Sequence, residues 1–79
     1  MSSEGNPRRN YNRSWEEIEL MLSRAELKRK EWKTWFEDCR KNEDRNGMKE
    51  ATRNYMALDG VVKTLKWTLG EEGVSSPLD

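Results

Sequence analysis

The sequence predicts an all-α fold: an antiparallel two-helix hairpin of coiled-coil type that dimerises into a four-helix bundle. Three observations carry this expectation. Apolar residues recur in alternating steps of three and four over two long stretches, the a/d spacing of a heptad. A polar gap, "RKNEDRNG" (40–47), separates the stretches, and the apolar stripe restarts beyond it out of phase. Finally, the chain holds more large apolar side chains than one seam between two helices can cover.

Residues 1–13 read as a flexible arm. Gly5 and Pro7 interrupt it, no apolar periodicity runs through it, and Arg8, Arg9 and Arg13 against Glu4 make it basic. It lacks the apolar segment of a signal peptide.

A helix is predicted over about 14–41. "SWEE", Ser14 to Glu17, is a capping box: the Ser14 hydroxyl can accept the Glu17 N–H while the Glu17 carboxylate accepts the Ser14 N–H. Glu16, Glu17 and Glu19 sit where the helix dipole favours negative charge. The seam runs Trp15, Ile18, Leu22, Ala25, Arg29, Trp32, Phe36, Cys39, with Arg29 as its one charged position.

The turn is predicted at about 42–47, where Asn42, Asp44, Asn46 and Gly47 supply turn and cap chemistry. A second helix follows over about 48–69, with the stripe Met48, Ala51, Tyr55, Leu58, Val62, Leu65, Leu69. Gly70 ends it as a residue free to turn left-handed. The two helices form one hairpin unit over 14–70. Residues 71–79 read as a loose acidic tail.

A short connection makes the helices antiparallel neighbours. Folding there pairs positions whose numbers add to about 87. Phe36 then faces Ala51, Trp32 faces Tyr55, Ala25 faces Val62, Leu22 faces Leu65 and Ile18 faces Leu69. Arg29 falls beside Asp59, so an ion pair at the seam edge is expected. Glu26–Lys30, Glu37–Lys41 and Asp59–Lys63 are expected as pairs along single helices.

Leu20 and Leu27 lie off the first seam, and Met21 and Trp35 flank it. Met56 and Trp67 lie off the second, with Val61 at its edge. Gly60 sits inside the second helix, where it costs about 1 kcal/mol relative to Ala, and a glycine there often lets another backbone come close. Exposed together, such residues form the kind of apolar surface that marks contacts. Leu20, Leu27, Trp35, Met56 and Trp67 are the predicted protein interface, used for a homodimer or for a larger partner.

The basic–aromatic stretch "KRKEWKTWFE" (28–37) raises nucleic-acid binding as the rival. On a helix it splits. Trp32 and Phe36 turn to the seam, Lys28 and Lys33 flank it on opposite sides, and Lys30 points outward. The nucleic-acid contact set would be Arg8, Arg9, Arg13, Lys28, Lys30 and Lys33, with the arm following phosphates. No helix-turn-helix, zinc-finger or RNA-motif signature accompanies it.

Other classes are poorly supported. Charged residues make up 38% of the chain yet balance to zero, which argues against bulk attraction to DNA or membranes. Histidine is absent, so the usual zinc and copper ligand sets cannot be assembled, and no cofactor or metal is expected. Cys39 is the sole cysteine, on the seam, where a small buried hydrophobe is the ordinary reading. No glycine-rich phosphate loop opens a helix. No apolar run approaches the roughly 20 residues that span a bilayer. A lone cysteine without a secretory signal fits a cytoplasmic, reducing setting. The expectation is therefore a small, non-enzymatic, cytoplasmic accessory or inhibitory protein that binds protein and takes no small-molecule substrate.

Overall fold

A computed structural model describes residues 12–79. Two helices make up the fold of the described residues: α1, Trp15–Lys41, and α2, Arg45–Thr68, packed against one another as a hairpin. No strand occurs among the described residues.

The start of α1 follows from its sequence. Ser14 is extended (φ −78°, ψ 159°), its Oγ accepts the Glu17 N–H at 3.1 Å, and its own N–H donates to Glu17 Oε1 at 2.9 Å. Both halves of the capping box are formed. That backbone hydrogen bond, with Arg13 alongside, holds the Glu17 carboxyl below its ordinary 4.5, against the partial desolvation that opposes it.

The reversal is tighter than the predicted 42–47. It consists of Asn42, Glu43 and Asp44, and α2 begins at Arg45 instead of Met48. Glu43 adopts the left-handed conformation (φ 55°). Its N–H donates to Arg40 O at 3.1 Å, and the Asp44 N–H donates to Cys39 O at 2.8 Å. This is a Schellman closure with glutamate in the place usually held by glycine. Asp44 then caps α2, accepting the Gly47 N–H at 3.0 Å. Gly47 is thus not a turn residue. It is buried in the first turn of α2, and an added Cβ there would stand 2.5 Å from both Cys39 Sγ and Asp44 Oδ2. The glycine is needed for contact between the helices, which polarity along the chain does not reveal.

The end of α2 repeats the closure. Gly70 (φ 74°) donates to Trp67 O at 3.0 Å and Glu71 to Lys66 O at 3.1 Å. Beyond it the chain folds back. Residues 73–77 border a cleft with Arg29, Val62, Lys63 and Lys66, and Val74 and Ser76 are half-buried.

The core is thin. Ala25, Cys39, Ala51 and Val62 are buried, and Val62 alone among them is a sizeable side chain with almost no exposure (1%). The remaining seam residues, among them Ile18, Leu22, Trp32, Phe36, Tyr55, Leu58 and Leu65, are half-buried. Trp15 departs from the predicted seam: it is 62% exposed, because α2 ends at Thr68 and offers no turn opposite the first residue of α1. At Gly60 no neighbouring atom of the described residues outside its own helix backbone lies within 4 Å of where a Cβ would be, so no other described backbone approaches it.

Candidate functional site

Two flanks of the hairpin differ in kind. Residues on one helix face recur at steps of three and four, so the partners of known ion pairs identify the flank on which each row lies. On one flank Arg29 Nη1 donates to Asp59 Oδ1 at 2.6 Å, the predicted pair. Lys63 Nζ reaches Asp59 Oδ2 at 3.1 Å. Held between Lys63 and Arg29, the Asp59 carboxyl lies below its ordinary 3.8 although burial opposes the shift. Lys66 lies 3.9 Å from Glu26 and 4.0 Å from Glu71. Glu26 therefore reaches across to α2 instead of pairing with Lys30. Glu37 takes Arg40 at 2.6 Å instead of Lys41. The returning tail covers part of this same flank. An apolar cleft of about 260 Å³ lies nearer the turn, bordered by Phe36, Thr52 and Tyr55 with Lys33 and Glu37 at its rim.

The opposite flank is open. Met21, Arg24, Lys28, Glu31 and Trp35 recur along α1 on that side, and a hollow joins Ile18, Met21 and Arg24 to Leu65 of α2. Beyond Glu50 near the turn, the α2 row is Asn54, Ala57, Val61, Thr64 and Thr68, and that stretch carries no charge. Its polar groups are spent on their own helix: Asn54 Nδ2 donates to Glu50 O at 2.9 Å, Thr64 Oγ1 to Gly60 O at 2.9 Å, and Thr68 Oγ1 to Thr64 O at 2.8 Å.

The predicted interface residues are all exposed: Leu20 52%, Leu27 58%, Trp35 50%, Met56 62% and Trp67 53%. They do not form one patch. By helical spacing Leu20 and Leu27 lie on the outer face of α1, Met56 and Trp67 on the outer face of α2, and these faces look away from each other. Trp35 belongs to the open flank, with Met21 (53% exposed) and Val61 (42%). The sequence alone does not single out this α2 row, since asparagine, alanine and threonine give no hydropathy signal. Its regular spacing was the available clue.

The basic set divides too. Arg8 and Arg9 lie outside the described residues. Arg13 pairs with Glu17 at 3.4 Å. Lys28 and Lys33 stand on opposite flanks, and Lys30 is exposed between the tail-side flank and the outer face. Cys39 is buried at the turn end of the seam. Burial, with the carboxylates of Asp44, Asp38 and Glu50, pushes its thiol above the ordinary 9.0. No helix among the described residues is long and apolar enough to cross a membrane. No family model matches the chain, and no similar curated protein or solved structure is found for it.

Proposed function

We propose that this chain is a non-enzymatic protein-interaction module, cytoplasmic, acting as an accessory or inhibitory subunit on a protein partner. The imbalance of its apolar surface carries the reading. The isolated hairpin buries little beyond Ala25, Cys39, Ala51 and Val62, while Leu20, Leu27, Trp35, Met56 and Trp67 are each at least half exposed. Each such side chain gains about 1.5–3 kcal/mol when fully covered, a large sum beside the stability of a small domain. The burial of Cys39 beside the carboxylates of Asp44, Asp38 and Glu50 supports a structural thiol over a nucleophile, since a nucleophile needs an electropositive setting.

The test is a double variant, Leu27→Ala with Trp67→Ala. Helicity should be kept and a protein captured by the wild type from lysate should be lost. A variant that unfolds would show these side chains to be core and sink the reading. Binding to generic duplex across a salt series supplies the contrary arm. Strong binding that falls steeply with salt would turn the assignment to nucleic acid.

A further inference from the structure

We infer that a second copy of the chain docks on the open flank, antiparallel to the first, with α1 lying over α1 and α2 over α2 to give a four-helix bundle. The inference rests on the protein-binding reading above and specifies its partner. The covered flank is the poorer site: Arg29, Glu26 and Lys63 on it are already paired through Asp59 and Lys66, and the tail occupies part of it. On the open flank, Arg24, Lys28 and Glu31 have no ion pair among the described residues.

Their order along α1 is self-complementary. A two-fold axis between Lys28 and Glu31 sets Lys28 of one copy against Glu31 of the other, and Arg24 against Trp35, at both ends of the axis. The first is an ion pair and the second a cation over an aromatic face. The same axis lays the uncharged Asn54–Ala57–Val61–Thr64 row on its own copy, where small side chains let the helices approach and no charge is stranded. It also covers the half-buried Trp32, Leu58 and Leu65, completing a core that one hairpin leaves thin. An unrelated partner would need its own matching pattern; a second copy supplies it by symmetry.

Sedimentation equilibrium of the full chain tests this. The wild type should approach twice its 9.4 kDa mass with rising concentration. Lys28→Glu alone and Glu31→Lys alone should each weaken association by roughly tenfold or more, and the two together should restore it. Val61→Arg, at an exposed position, should abolish it with helicity unchanged. A wild type that stays at 9.4 kDa up to high concentration overturns the inference. So does a dimer indifferent to Val61→Arg and to both charge reversals. If that dimer is instead lost in the Leu27→Ala, Trp67→Ala variant, self-association runs through the outer faces and the protein-binding reading survives. A monomer that captures another protein likewise leaves that reading standing, whereas a monomer that captures nothing ends both.

Discussion

Two glycines of α2 do opposite things, and their alanine variants should separate. At Gly47 a methyl group would meet Cys39 Sγ and Asp44 Oδ2, both held in place by the turn. Gly47→Ala should therefore destabilise by about 1–3 kcal/mol in urea titration. At Gly60 the space is open and the backbone is helical. Gly60→Ala should stabilise by about 0.5–1 kcal/mol, and it should leave dimerisation unchanged because Gly60 is off the open flank. Asp59 makes a pH prediction. Its folded pKa is depressed, so its contribution is present above the unfolded value near 3.8 and is lost as pH falls through the lower, folded value. Asp59→Asn should flatten the acid limb of a stability–pH curve. Cys39 acts in the other sense. Its folded pKa is raised, so its contribution is complete below the ordinary 9.0 and declines as pH rises beyond it. Cys39→Ala should flatten the alkaline limb.

At the scale of elements, the ends of the helices decide more than their middles. Ser14→Ala removes the acceptor for the Glu17 N–H and should cost about 1 kcal/mol by thermal or urea unfolding. Glu43 carries the left-handed step of the turn without being glycine. Glu43→Gly should stabilise by about 0.5–1 kcal/mol, since relief of a left-handed Cβ exceeds the added freedom of the unfolded chain. The start of α1 could be read in advance from Ser14–Glu17, because capping depends on residues within one turn, whereas α2 starts at Arg45, ahead of the expected Met48, with Asp44 as its cap. The exact turn could not be read in advance. Gly47 looked like the turn residue by composition, and only the contact with Cys39, supplied by the other helix, shows that it is packed inside.

At the scale of the whole molecule, stability rests on a narrow line of side chains. Val62→Ala should cost about 2 kcal/mol or more, a large share of the total for a chain this small, and chemical denaturation checks it. The heptad stripe announced the hairpin, its antiparallel register and the Arg29–Asp59 pair, since periodicity and a short turn suffice for those. Composition and spacing by themselves determined an all-α chain, the cap at Ser14, the stop at Gly70 and the surplus of apolar residues. Only the tertiary structure decided where that surplus lies. Which flank receives the ion pairs and the returning tail depends on contacts between residues distant in sequence, and these leave the other flank bare. Trp35 stands on that bare side beside an uncharged row of α2, while Trp15 drops out of the seam because α2 ends before reaching it.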